Sequence, residues 1–115
     1  MSFGSDFKYL SNVKEPLEYN QENIDLATTK INNFSADLGG TDMFKPLKAA
    51  LNLEPPKGFT NAGGYQKMIY LLTDGETEDQ NKCYKLAQED RPENTTIHSF
   101  GIGDDCDQKF VTKIS

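Results

Sequence analysis

Asp74 stands between Thr73 and Gly75, directly after the apolar run Met68-Ile69-Tyr70-Leu71-Leu72. A carboxylate at a strand end offers the hard oxygen donors that a cation such as Mg²⁺ takes; the alternative at that place is a turn or helix-capping aspartate. A second group, Leu38-Gly39-Gly40-Thr41-Asp42, combines paired glycines, which let the backbone bend sharply, with a hydroxyl able to cap a helix or ligate a cation. The third is the acidic run Glu76, Glu78 and Asp79, whose plain reading is a solvated loop with negative charge near a helix N-terminus.

Other chemistries find no support. Gly101-Ile102-Gly103-Asp104-Asp105-Cys106 follows a strand and precedes a helix, but it lacks the third glycine of a dinucleotide fingerprint. His98 is the only histidine, sits within a strand pattern and has no Gly-x-Ser-x-Gly motif to serve, so a core or surface histidine is the reading. There is no P-loop. Cys83 and Cys106 can make at most one bridge and lack the close spacing of a zinc pair.

The elements that must hold these groups alternate. A short aromatic run at Phe7 to Leu10 suits an edge strand. From Asn20, a plausible N-cap, apolar residues fall at Ile24, Ala27, Ile31, Phe34 and Leu38, a spacing that predicts one helical stripe packed on a sheet, with Gly39 as its stop. Phe44, Leu47, Ala50 and Leu51 predict a second helix, with Pro46 confined to its first turn and Pro55-Pro56 beyond. After a glycine-rich turn at Gly63-Gly64, the continuous run Met68 to Leu72 predicts a strand covered on both faces. A helix with Cys83, Leu86 and Ala87 inward, a strand from Thr96 to Phe100, and a further helix begun by Phe110, Val111 and Ile114 complete the pattern. Strand and helix in alternation predict an α/β fold, a doubly wound, mostly parallel sheet, with ligands taken beyond the carboxyl ends of the strands. Met68 to Thr73 and Thr96 to Phe100 are expected to lie side by side.

Composition bounds the partners. The 115 residues suit one domain or part of one. No apolar run approaches the roughly 20 residues of a membrane helix. With 12 basic against 18 acidic residues and no basic cluster, nucleic acid is excluded as the expected partner. The first residues have neither the basic nor the apolar region of a signal peptide, and the sequons at Asn33 and Asn94 are about as many as chance supplies.

Taken together, Ser2-Phe3-Gly4-Ser5, Leu38-Gly39-Gly40-Thr41, Ile69-Tyr70-Leu71-Leu72-Thr73-Asp74-Gly75-Glu76 and Ser99-Phe100-Gly101-Ile102-Gly103 resemble, in order and spacing, the von Willebrand factor type A domain. The subgroup they look most like follows a VIT domain in inter-alpha-trypsin inhibitor heavy chains. The resemblance implies a Rossmann-like sheet with helices on both faces and a non-enzymatic adhesion or interaction module. Many members carry a metal-ion-dependent adhesion site in which Mg²⁺ is completed by a partner's carboxylate. Carried over, Thr41 and Asp74 are the metal ligands, and Gly39, Gly40, Gly75 and Glu76 shape the loops around them.

The family's remaining ligands come from an Asp-x-Ser-x-Ser motif on its first, central strand, and no such motif occurs in these residues. The expectation is therefore a partial domain, residues 1–115, lacking the first strand with its helix and the last strand. Its sheet would be completed by a neighbouring chain or by residues outside this sequence, and Mg²⁺ would bind only where the missing strand is supplied. The rival reading is a structural component of a larger assembly with a vestigial metal site. An enzymatic role for Asp74 and Glu76 ranks below both, for want of a nucleophile, a base and a pocket.

Overall fold

The run Met68 to Leu72 forms a strand, as its apolar pattern predicts. In the computed structural model, which describes residues 1–11, 14–35, 37–56, 58–59 and 64–115, β3 (Lys67–Thr73) pairs in parallel with β4 (Thr95–Gly101), in register from Lys67↔Thr95 to Thr73↔Gly101. Ahead of them stand a two-stranded antiparallel hairpin, β1 (Ser2–Phe3) and β2 (Phe7–Lys8), then α1 (Gln21–Asn32) and α2 (Phe44–Leu51). The helix α3 (Gln80–Gln88) joins β3 to β4, and α4 (Gln108–Ile114) follows. The architecture is the expected α/β, Rossmann-like one, with an incomplete sheet. The edge strand suggested at Phe7 to Leu10 is shorter than expected, and Gly63 of the expected turn lies outside the described residues.

One core holds this together. Met43, Leu47 and Leu51 come from α2 and its lead-in, Leu71 and Ile97 from the sheet, Cys83, Leu86 and Ala87 from α3, and Phe110 and Ile114 from α4. Each of these three helices presents its apolar residues at 3–4 spacing and so turns one stripe inward. Lys67 fastens the end of α2 to the sheet, its Nζ donating to the Leu51 carbonyl at 2.7 Å, one of the acceptors a helix C-terminus leaves open.

Two expectations are corrected. β3 is covered on one face only: Leu71 and Thr73 are buried, whereas Met68, Tyr70 and Leu72 are 59, 60 and 57% exposed. The cause is that α2, α3 and α4 all contribute to the same core, on the side of Leu71 and Ile97. On the bare side Tyr70 stacks on His98 at 5.4 Å and on Phe100 at 6.1 Å. The histidine is thus a surface residue.

The second correction concerns α1. Asn20 caps it as expected, its side chain accepting from Asn23 N–H at 2.9 Å. The helix stops at Asn32, because Asn33 closes it with its own backbone N–H and with a side-chain bond to the Thr29 carbonyl. Phe34, Leu38 and Gly39 therefore lie beyond it, and none of its residues is buried. Ile24, Ile31 and Phe34 face solvent rather than the sheet. The radius of gyration, 14.9 Å against about 13 Å for a compact domain of this length, is that of a chain with such an element apart from its core.

The cysteines differ in a way that can be measured. Both are free; Cys83 is wholly buried, and Cys106 is half-buried. Burial pushes the Cys83 thiol up to about 11, with the carboxylates of Asp79 and Asp42 adding to it. At pH 8 a maleimide is expected to label Cys106 in the native protein and Cys83 only after unfolding. Because the folded pKa lies above the unfolded one, the neutral thiol favours the fold below about pH 9, and that contribution is lost as pH rises towards 11. The wild-type protein should lose stability across that window more steeply than Cys83→Ala, as urea midpoints at pH 8.5 and 10.5 would show.

Candidate functional site

Two loops meet at the carboxyl end of β3. The first, Leu38 to Asp42, is strapped to the turn between β1 and β2 at both ends. Ser5 N–H donates to the Leu38 carbonyl at 2.7 Å, and Asp42 N–H donates to the Gly4 carbonyl at 2.6 Å. Gly39, at φ +68°, lies so near Ser5 Oγ that a Cβ would stand 3.1 Å from it. Thr41 is half-buried, and the side chain that reaches the first turn of α2 is that of Asp42, the residue before the N-cap Met43. Asp42 Oδ1 accepts from Lys45 N–H at 3.2 Å, and Oδ2 pairs with Lys45 Nζ at 2.9 Å. The lysine beside it holds the Asp42 carboxyl below the usual carboxylate range.

The second loop, Thr73 to Glu76, turns through Gly75 at φ +85°. Thr73 Oγ1 accepts from Gly75 N–H at 3.0 Å, and Asp74 Oδ1 accepts from Glu76 N–H at 3.0 Å, the closed turn that an aspartate favours here. Asp74 and Glu76 are exposed and Gly75 is buried. The two loops are tied through Thr77, whose hydroxyl donates to the Thr41 carbonyl at 3.2 Å. Of the acidic run, Asp79 pairs with Lys82 at 2.8 Å on the surface, which suits the solvated-loop reading; such pairs are worth about 0–1 kcal/mol.

The donor chemistry suits a hard cation, since Thr41 offers a hydroxyl and Asp74 a carboxylate. The number of donors does not. Among the described residues no group of three or more His, Cys, Asp or Glu side chains could hold a metal ion. Mg²⁺ demands near-octahedral oxygen coordination, and two side-chain donors leave most of it to water. The residues present do not by themselves make a magnesium site.

The sequence profile of the von Willebrand factor type A domain matches residues 1–115. The chain belongs to the von Willebrand factor type A family. It is 32% identical over 114 residues to a von Willebrand factor A domain-containing protein of Dictyostelium discoideum, covering 98% of this chain and 12% of that protein. It is 34% identical over 103 residues to the mouse von Willebrand factor A domain-containing protein 5B1, covering 90% of this chain and 8% of that protein. The chain thus spans about a tenth of the length of these relatives. No solved structure matches it. As a von Willebrand factor type A domain it is of a kind that serves in protein interaction, and among the described residues no helix is long and apolar enough to cross a membrane.

The structure therefore brings the Thr41 and Asp74 loops together and puts Gly39, Gly40, Gly75 and Glu76 within them. Sequence reasoning missed Gly4, Ser5, Gln80 and Asp107, which support the loops from outside. Ser2-Phe3-Gly4-Ser5 was legible as a motif, but its contact with residues 38 to 42 was not.

Proposed function

We propose that this von Willebrand factor type A domain engages a protein partner at the carboxyl end of its parallel strands. There a carboxylate of the partner meets Mg²⁺ held in part by Thr41 and Asp74. The observation that carries the reading is the Thr77–Thr41 tie, which brings a hydroxyl-bearing and a carboxylate-bearing loop to one edge of the sheet. The role is non-enzymatic, and the domain is of the VIT-associated type. The remaining ligands come from an Asp-x-Ser-x-Ser strand supplied from outside residues 1–115.

The free edge of β3 supports that last point. β3 pairs only with β4 among the described strands, and β1 only with β2. Between them lies a cavity of about 80 Å³ bordered by Phe3, Met43, Leu47, Ile69 and Leu71. A strand laid along the open ladder edge of β3, with β1 moved aside to admit it, would satisfy that edge, which is otherwise an association hazard. The chain on its own is accordingly expected to associate or to melt without cooperativity. A monodisperse monomer in sedimentation, with a cooperative transition above about 50 °C, would overturn this part.

For the metal, calorimetric titration of Mg²⁺ into the chain alone should show no binding tighter than about millimolar. Adding a synthetic strand that ends in Asp-x-Ser-x-Ser should raise the affinity at least tenfold, and Asp74→Ala should remove the gain. Micromolar binding without the strand, or a gain indifferent to Asp74→Ala, refutes the reading. The bare apolar face of Met68, Tyr70, Leu72 and Phe100 favours a second reading, a structural component of a larger assembly with a vestigial metal site. No gain in Mg²⁺ affinity with the strand added would decide for it.

A further inference from the structure

The Asp74 loop is held from one side by an uninterrupted set of bonds. The Thr73 carbonyl accepts from Ile102 N–H at 2.9 Å, the Asp74 carbonyl from Asp107 N–H at 2.8 Å, and the Gly75 carbonyl from Gln80 Nε2 at 3.3 Å. The same Gln80 nitrogen donates to Asp107 Oδ2 at 2.9 Å. Asp107 Oδ1 caps α4 by accepting from Phe110 N–H at 2.9 Å, and the Phe110 ring is wholly buried. Three consecutive loop carbonyls thus hang on the segment before α4 and on the first residue of α3. Close packing at Gly75 stiffens the arrangement, since a Cβ there would stand 2.9 Å from Asp107 Cβ.

From this geometry we infer that Asp107 and Gln80 are positioning residues for the Asp74 loop, forming a brace through which the seat of α4 sets where the Asp74 carboxylate stands. The inference rests on taking that loop as the ligand-facing one. Each partner has a second duty that makes the brace rigid. Asp107 cannot shift without uncapping a helix whose first aromatic is locked in the core. Gln80 cannot turn its amide over without setting its own carbonyl oxygen against the Gly75 carbonyl. The Asp107 carboxyl is held below the usual carboxylate range by the Phe110 N–H and by Gln80, as an acceptor with two donors should be. A partner that displaced α4 would therefore move the Asp74 loop as well, without touching it.

The rival account is that Asp107 only caps α4. Amide hydrogen exchange of the protein that carries this chain, measured without metal or binding partner, separates the two. Gln80→Ala removes the side-chain brace and leaves the cap. Asp107→Ser keeps a good N-cap but is too short to reach Gln80. Each variant is expected to speed exchange at Gly75 and Glu76 about tenfold while leaving Leu71 and Ile97 at the wild-type rate, and the double variant should be no faster than either single one. Wild-type rates at Gly75 and Glu76 in Gln80→Ala, or rates that rise equally at Leu71 and Ile97, would overturn the brace. If Asp107→Ser does not fold, Gln80→Ala carries the comparison, since it touches neither cap nor core. Because no metal enters this measurement, failure of the Mg²⁺ reading and failure of the brace are told apart.

Discussion

Phe110→Ala is expected to remove about 3–5 kcal/mol from the stability of the protein that carries this chain. The ring is wholly buried, lies 5.3 Å from the Tyr84 ring and joins α4 to the core that α2, α3 and the sheet share. Truncation forfeits the transfer free energy of the ring and leaves a cavity that three helices and a sheet cannot readily collapse. Against the roughly 5–15 kcal/mol of a whole domain, that is a large part of the margin. Phe34→Ala provides the contrast, since that ring is 52% exposed and should cost no more than about 0.5 kcal/mol. Urea midpoints for the two variants would check this. Equal losses would mean that Phe34 is packed after all, as its place in the helical stripe suggests.

Gly4→Val carries the second large effect, and it acts on the site. A Cβ at Gly4 would stand 2.5 Å from Leu38 Cβ and 2.6 Å from the Leu38 carbonyl oxygen, and backbone cannot yield as a flexible side chain can. The hairpin turn must then lift off the loop. Both straps would go, the Ser5–Leu38 and the Asp42–Gly4 bonds, each worth about 0.5–1.5 kcal/mol net. We expect a loss of about 1–3 kcal/mol and at least tenfold faster exchange at the Asp42 amide. Gly40→Ala should be nearly silent, because among the described residues its only close neighbour is the Ser5 hydroxyl at 3.3 Å, which can rotate away. Retained protection at Asp42 in Gly4→Val would show that the strap is not what holds the loop.

The contrast between these positions marks what a sequence displays. The Met68 to Leu72 run, the α2 stripe and the inward Cys83, Leu86 and Ala87 are set by local spacing, and the structure has them where that spacing put them. Spacing says nothing of whether a partner surface exists. That is why the α1 stripe was legible as a stripe while its packing was not, and why an apolar run read as covered on both faces is bare on one. The site divides likewise. Thr41 and Asp74 were singled out from local motifs, whereas the bonds of Asp42 to Lys45 depend on where the loop meets α2. Gly4 and Asp107 act across more than 30 residues of sequence, through backbone groups that every residue type carries. Only the absence of a Cβ at Gly4 gives any sign of the contact.

The order of the core along the chain bears on how the protein is made. Synthesis exposes α1 before any of the core, with Ile24, Ile31 and, just beyond it, Phe34 bare, and nothing later among the described residues covers them. The core cannot close until Phe110 and Ile114, both wholly buried, have followed Leu51 out of the ribosome. At about 5–20 residues per second those 63 residues take roughly 3–13 s, counted from the span between Leu51 and Ile114. For that time Met43, Leu47 and Leu51, and Leu71 once it has emerged, are open to any passing hydrophobic surface. The nascent chain therefore carries these apolar groups uncovered through that interval, when an unclosed core is most exposed to aggregation.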